Sequence, residues 1–478
     1  MAYAELGLFI DGAWRREGSG GALPVIDPAT EETLGALPLA GPADLDAALA
    51  AAEKGFAAWR ATPAEARQRV MEQAAQALEA GRDAIAENLT REMGKPLAEA
   101  RMELDFAIGV LRWYGEEGKR AYGRLVPSRV PGVRLSVVKE PVGPVAAFVA
   151  WNFPAVNVMR KVAGALGAGC SIVIKPSEET PATAIAIARA FEAAGLPAGA
   201  LNVVFGEPDA VSRHVLASPV CKKLSFTGSV PVGKHLQKLA AETLKRCTME
   251  LGGHGPVLVF EDADIEAAAK AAAAAKFRNA GQVCISPTRF YVQEAARGAF
   301  TEAFVEAAKA VRVGNGLEQG VGMGPLVGER RLDVMQGFVD DAVKHGAKLA
   351  LGGERLGNRG WFYAPTVLTD VPETARIMNE EPFGPVAPIA SFADEAEAVA
   401  KANRLPFGLA AYAFTRDGAR AARLADAIDS GLVGVNSFTV SLPETPFGGV
   451  NDSGYGSEGG IEGLEAFLRT KLVSETGV

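Results

Sequence analysis

One cysteine stands where a covalent mechanism would want it. In Phe277-Arg278-Asn279-Ala280-Gly281-Gln282-Val283-Cys284 the thiol follows a glycine and a long alanine-rich helical run, Ile265 to Lys276. Sulfur is intrinsically nucleophilic, and a helix terminus or polar loop can favour its thiolate. Cys284 would equally serve as a small buried apolar side chain, the common fate of free cysteines. Asn152, in Trp151-Asn152-Phe153-Pro154, offers a neutral amide for an oxyanion, or caps the helix that Pro154 opens. Glu250, in Glu250-Leu251-Gly252-Gly253, is a candidate general base if partial burial raises its pKa, or a surface glutamate at a hinge.

Other residues suit a dinucleotide. Lys175 and Glu178, in Lys175-Pro176-Ser177-Glu178, can hydrogen-bond ribose hydroxyls. A carboxylate there accepts from a free 2′-hydroxyl and repels a 2′-phosphate, which favours NAD over NADP; the alternative is a solvated pair at a helix start. Gly228 to Lys234 matches G-x-x-x-x-G-K, but His235 replaces the Ser or Thr that would hold magnesium, so a nucleoside-triphosphate site is not expected. Gly228, Ser229 and Gly233, at a strand–turn–helix junction, can still hold a pyrophosphate.

These residues need a scaffold, and the chain supplies one. Short apolar strands (Val145–Val149, Ser171–Ile174, Leu201–Phe205, Lys223–Phe226, Arg246–Leu251) alternate with helical stretches. This predicts a doubly wound parallel sheet, whose ligands sit at the carboxyl ends of the strands. Asn152, Lys175, Gly228 and Glu250 each follow a strand. Alternation restarts at Pro256, which predicts a second α/β unit beyond a hinge at Gly252 to Gly255. Ala43 to Glu117 reads as helical, broken at Met93-Gly94-Lys95-Pro96, and Gly7 to Trp14 as a hairpin with an Asp-Gly turn. Arg124 to Glu140 reads as one or two part-exposed strands, either pairing with another subunit or packed on their own chain.

Composition agrees. With 478 residues, 48% hydrophobic and 22% charged, the chain is long enough for two or three domains. A net charge of −8 argues against a general nucleic-acid or anionic-membrane partner. No apolar run is long enough to span a bilayer, and Met1 to Glu5 does not read as a signal peptide. The four cysteines (170, 221, 247, 284) lie at least 26 residues apart and the four histidines are scattered, so neither a metal site nor a disulfide framework is expected, and a reducing cytoplasm fits.

Taken in order, the Trp151-Asn152-Phe153-Pro154, Lys175-Pro176-Ser177-Glu178, Phe226-Thr227-Gly228-Ser229, Glu250-Leu251-Gly252-Gly253 and Gly281-Gln282-Val283-Cys284 motifs resemble the aldehyde dehydrogenase superfamily. So do Glu380-Glu381-Pro382-Phe383-Gly384-Pro385 and Pro446-Phe447-Gly448-Gly449. The resemblance runs over essentially the whole chain. It implies an α/β fold of two doubly wound domains plus a small β oligomerisation element: a Rossmann-type NAD-binding domain over 1–123 and 141–251, a catalytic domain over 252–460, and oligomerisation strands over 124–140 and 461–478. It implies a homodimer or homotetramer using NAD, with NADP possible. Cys284 would attack the aldehyde, Asn152 and the Cys284 N–H would hold the oxyanion, and Glu250 would activate water against the thioester. Lys175, Glu178 and Ser229 would hold the adenosine ribose and pyrophosphate, with Trp151, Gly228, Gly233 and Leu251 beside them, and Glu381 and Phe383 the nicotinamide end. Arg160, Arg278 and Ser441 are similar to the carboxylate-binding positions of succinate-semialdehyde dehydrogenases. The Cys284-Ile285-Ser286 sequence lacks the neighbouring second cysteine of some of those enzymes. It is also similar to 2-oxoglutarate-semialdehyde (2,5-dioxopentanoate) dehydrogenases, and a broad-specificity enzyme stays open. A CoA-acylating member is disfavoured by Glu250, and a non-catalytic structural protein would not need Cys284, Glu250 and Asn152 together.

Overall fold

Asp11 and Gly12 both take positive φ (51° and 76°), the requirement of a two-residue hairpin turn whose twist matches its strands. They join β1 (Leu8–Ile10) to β2 (Ala13–Arg15) in the computed structural model, which describes residues 3–477. A second hairpin, β3 (Ala22–Ile26) and β4 (Thr33–Pro38), precedes four helices: α1 (Pro42–Ala61), α2 (Ala64–Ala80), α3 (Arg82–Met93) and α4 (Leu97–Glu117). Gly94 closes α3 in the left-handed conformation (φ 89°), and Lys95-Pro96 lead into α4. Strands β5 (Arg124–Val126) and β6 (Val133–Pro141) follow.

The alternating region then folds as β7 (Val145–Phe148), α5 (Pro154–Ala168), β8 (Ile172–Lys175), α6 (Pro181–Ala193), β9 (Leu201–Val203), α7 (Pro208–Ala217), β10 (Lys223–Thr227), α8 (Val230–Ala241) and β11 (Arg246–Glu250). Beyond it come β12 (Gly255–Val259), α9 (Ile265–Phe277), β13 (Pro287–Gln293), β14 (Lys348–Leu351), β15 (Thr366–Thr369), β16 (Val386–Phe392), β17 (Phe407–Gly408), β18 (Ala410–Phe414), β19 (Leu432–Val435), β20 (Val450–Asn451), β21 (Gly454–Tyr455) and β22 (Leu468–Thr476), with further helices between.

Two large sheets result. The first runs β2-β1-β9-β8-β7-β10-β11-β21, with β9, β8, β7, β10 and β11 parallel and antiparallel edges. Chain order reverses direction at β7, which has β8 on one side and β10 on the other; this switch point opens a crevice beyond the carboxyl ends of β7 and β10. The second sheet runs β14-β15-β16-β13-β12-β18-β19, parallel except for β14. Each sheet has its own buried apolar cluster. The chain passes from the carboxyl end of β11 into the amino end of β12 through Leu251 to His254, so the carboxyl edge of one sheet faces the amino edge of the other.

The third sheet is β22-β6-β5, antiparallel, with Leu468 opposite Pro141 and Thr476 opposite Val133. The expectation of strand over 461–478 needs correction. Gly460–Glu465 is a helical turn packed on α5, strand begins only at Leu468, and Val478 lies outside the described residues. The glycines around the turn and the apolar Leu464 and Phe467 anchor that stretch in the first core instead. Among the described residues no helix is long and apolar enough to cross a membrane.

Candidate active site

Asp264 caps α9, its side chain accepting from the Ala267 N–H. The helix ends where the Arg278 N–H reaches the Ala274 carbonyl. Asn279, Ala280 and Gly281 then take φ of 49°, 52° and 71°, three left-handed residues in succession. Only glycine suits the last: a Cβ on Gly281 would lie 2.2 Å from the Gly384 carbonyl oxygen. Left-handed backbone costs an L-residue about 1–2 kcal/mol, so the turn needs external support. It has it. The Asn279 N–H donates to Glu99 (2.9 Å), the Asn279 amide donates to the Asn152 carbonyl (3.0 Å), and the Gln282 amide returns to the Asn279 carbonyl (3.1 Å). Gln282 in turn accepts from the Val327 N–H (3.0 Å). Cys284 follows, half-buried.

The turn opens on a cavity of about 690 Å³ between the two sheets, and Cys284, Glu250 and Asn152 all line it. Asn152 Nδ2 donates to the Gln282 carbonyl (3.2 Å), while its Oδ1 accepts from Asn157 (3.2 Å), which fixes the amide with its donor side toward the cysteine turn. Glu250 is buried, and both carboxyl oxygens lack a hydrogen-bond partner among the described residues. Burial raises its pKa well above the ordinary value, the Glu458 carboxylate adds to this, and Lys161 and Arg160 oppose it. Lys161, fully buried in α5, pairs with Glu458 and donates to the Thr227 hydroxyl (2.7 Å). The expectation that the polar turn favours a thiolate is overturned: burial, with the Glu381 and Glu250 carboxylates, pushes the Cys284 thiol up to about 12, and Arg160 only partly compensates. Burial and the two carboxylates thus hold the resting thiol in its neutral form, so attack requires a base.

The nucleotide-suited residues divide. Trp151, Gly228, Ser229, Leu251, Glu381 and Phe383 line the same cavity. Ser229 caps α8 without a side-chain cap bond, which leaves its hydroxyl to a ligand. Phe383 meets Trp151 edge-to-face at 5.5 Å. Glu381 accepts from the Gly253 N–H (3.4 Å), and burial pushes it up to about 8. Lys175 and Glu178 lie outside this cavity. They form an ion pair (2.7 Å), Glu178 also accepts from the Gly206 N–H (3.1 Å), and it borders a neighbouring cavity with Pro208. Gly233 faces Leu251, where a Cβ would come within 2.4 Å, so its task is close helix packing. Lys234 pairs with Asp452 (2.8 Å) and His235 with Asp209 (2.8 Å), so neither is turned to a phosphate. A helix N-terminus at Ser229 and carboxylates at Glu178 and Glu381 are the chemistry a dinucleotide needs.

Arg160, Arg278 and Ser441 also line this cavity. Arg160 donates to the Ser441 hydroxyl (2.7 Å), stacks 4.0 Å from the Phe447 ring centroid, and keeps a buried Nε without a partner among the described residues. The Arg278 guanidinium lies 5.3 Å from the Phe153 ring centroid and donates no hydrogen bond to the described residues. Sequence reasoning missed Lys161, Glu458, Lys95, Glu99 and Glu103. Lys161 left a trace, a second charge beside Arg160 inside the otherwise apolar run Val158 to Leu166; Glu458 left none.

The family model described as "Aldehyde dehydrogenase family" matches residues 14–473. A 4-(hydroxymethyl)benzenesulfonate dehydrogenase of Comamonas testosteroni, TsaD1, is 47% identical over 98% of this chain and 97% of its own length. The NADP(+) succinate-semialdehyde dehydrogenase GabD of Escherichia coli (strain K12) is 41% identical over 97% of this chain and 96% of its own. The crystal structure of succinate-semialdehyde dehydrogenase from Burkholderia pseudomallei superposes with a TM-score of 0.97 at 42% identity, covering 98% of each chain.

Proposed function

The chain belongs to the aldehyde dehydrogenase family, oxidoreductases that act on aldehydes with NAD(P), and from that premise we propose that it oxidises an aldehyde carrying a distal anionic group, of the succinate-semialdehyde type, with NAD as acceptor. The observation that carries the reading is the pair of guanidinium groups that line the same cavity as Cys284. Arg160 is pre-oriented by Ser441 and Phe447, and Arg278 has no protein acceptor, so both can receive a carboxylate, Arg278 without breaking an existing bond.

Cys284 adds to the carbonyl carbon, its proton passing to Glu250, and the oxyanion is held by the Asn152 amide and the Cys284 N–H. Ser229, Glu178, Glu381 and Phe383 would hold NAD, which when bound would supply a hydride acceptor for the carbon attached to sulfur. Glu250 gives up the cysteine proton to solvent before hydrolysis; it then takes a proton from the water that attacks the thioester and returns it to the departing thiolate, which releases the acid and restores the thiol. The buried Lys161–Glu458 pair acts on Glu250 through its charges, Glu458 raising its pKa and Lys161 lowering it. The Glu178 carboxylate supports NAD over NADP, since a 2′-phosphate there would meet like charge. Glu178→Ser should raise kcat/KM for NADP relative to NAD by about tenfold, roughly 1.4 kcal/mol; an unchanged ratio would remove Glu178 from cofactor selection. The part-exposed Leu125 and Leu472 on the third sheet favour assembly through it, as a homodimer or homotetramer.

The substrate test is NADH formation with succinic semialdehyde, 2,5-dioxopentanoate, butanal and benzaldehyde. The acids should lead by about tenfold or more in kcat/KM, and Arg278→Ala should erase the lead while sparing butanal, as expected when a charge-assisted pair is lost. Equal rates with butanal would make this a broad-specificity enzyme with structural arginines. A second reading, an anionic aromatic aldehyde, is favoured by the phenylalanine walls at 106, 153, 438 and 447. 4-Formylbenzenesulfonate in the same panel, matched to the name of the Comamonas relative, decides between them.

A further inference from the structure

Building on the Cys284 reading above, we infer that Glu99 is a positioning residue for the nucleophile: by accepting the Asn279 N–H it holds the left-handed turn that presents Cys284. Asn279 is the first residue past the last α9 hydrogen bond, so its N–H has left the helical ladder and has no carbonyl four residues back. Glu99 Oε2 takes it at 2.9 Å. The next residue, Ala280, is left-handed with no glycine to ease it, and a turn of this kind persists only where its surroundings over-determine it.

Glu99 belongs to a larger clamp on the start of α4. Glu99 and Glu103, four apart in the first turns of α4, share one face, and Lys95 stands just before the helix. Lys95, fully buried, pairs with Glu103 and donates to the Asn152 carbonyl (2.8 Å), the same oxygen that receives the Asn279 amide. Glu103 accepts from the Ala155 N–H (2.7 Å) in the first turn of α5. The entry to α4 therefore grips both loops that form the reaction centre, the Asn152 loop through Lys95 and Glu103 and the cysteine turn through Glu99. The Met93-Gly94-Lys95-Pro96 break reads in sequence only as the end of a helix; in the fold it sets where this face begins.

Charged groups surround Glu99: Lys95 and Arg278 draw its pKa down, while burial and Glu103 raise it, to about 7 overall. A carboxyl can accept the Asn279 N–H in either protonation state, so an amide should substitute for it.

The experiment uses full-length Glu99→Ala and Glu99→Gln proteins and reads the alkylation rate of Cys284 by iodoacetamide, followed on the Cys284 peptide by mass spectrometry, alongside the NADH burst rate, KM for NAD and melting temperature. Iodoacetamide is neutral, so loss of the Arg278 neighbour does not confuse the readout. Glu99→Ala should slow both alkylation and burst by about tenfold or more, because displacement of an aligned group by an ångström costs that and beyond. KM for NAD should stay within about twofold and Glu99→Gln should recover to within about threefold of wild type, since the acceptor is kept. Wild-type alkylation in folded Glu99→Ala, or Glu99→Gln as slow as Glu99→Ala, would overturn the inference. Should Glu99→Ala not fold, Glu99→Asp, one methylene short, carries the same expectation of slowing and is overturned by a wild-type rate. If no aldehyde gives NADH even with wild type, the aldehyde-oxidation reading fails while the alkylation comparison still decides the role of Glu99.

Discussion

Cys284→Ala should remove aldehyde oxidation, lowering kcat by about 10⁴-fold or more, since loss of a covalent nucleophile takes with it the steps that depend on the thioester. NAD affinity, followed by fluorescence titration, should stay within about threefold, because the nucleotide-suited side chains are held by partners other than the thiol. Glu178 and Glu381 accept from the Gly206 and Gly253 N–H groups, and the Ser229 side chain makes no cap bond, so none of the three depends on the sulfur. The fold should tolerate the change, as Cys284 is half-buried at a cavity wall and an alanine there fills space the cavity already borders. A variant that keeps more than about one hundredth of the wild-type rate would remove Cys284 as the nucleophile. The same thiol, raised to about 12 in the free enzyme, predicts that its alkylation without cofactor keeps climbing with pH beyond 9 rather than levelling off.

Glu250→Gln should separate the two halves of the reaction. The thiol can still be deprotonated by hydroxide at high pH, so at pH 9 or so a burst of NADH near one per active site is expected, followed by a steady state slower by about 10²- to 10³-fold, the usual cost of losing a general base. Mass spectrometry should find the acyl group on Cys284. The pH profile carries the sign. Glu250 works as the deprotonated base, and its pKa is raised by burial and by Glu458. Wild-type turnover is therefore full above that raised pKa and is lost as pH falls through it. In Glu250→Gln this limb should vanish. Unimpaired steady-state turnover, or an acidic limb that survives the substitution, would assign the base elsewhere. The orphaned, buried oxygens of Glu250 make it the group for which such a role explains an otherwise costly placement.

Much of this was legible in the chain. Asn152, Gly228 and Glu250 follow strands, and a doubly wound sheet brings strand ends to one edge whatever the details of packing. Cys284 was legible for a related reason, a thiol behind a glycine turn at the end of a long helix. Periodicities of two and 3.6 are local signals, so the hairpin at Asp11-Gly12, the helices to Glu117 and the strands to Glu250 could be read directly from them.

What only the tertiary structure decided joins residues far apart. Glu99 meets Asn279 across 180 positions, and Lys161 meets Glu458 across 297. No local pattern encodes such pairs, because they depend on how α4 and α5 lie against each other and how the two sheets face across the cavity. The state of Cys284 belongs to the same class. A polar turn in sequence suggests a thiolate, yet the fold buries that turn between two sheets and aims Glu250 and Glu381 toward it, and removal of water plus two carboxylates raises the thiol instead. The tail shows it too: Leu464 and Phe467 are drawn into the first core, so helix persists to Glu465 and the strand starts only at Leu468, where β6 offers its free edge. The residue types and their order along the chain determined which chemistry is present; the packing of the two sheets determined which protonation states that chemistry starts from, because burial is a property of the assembled fold and not of any segment.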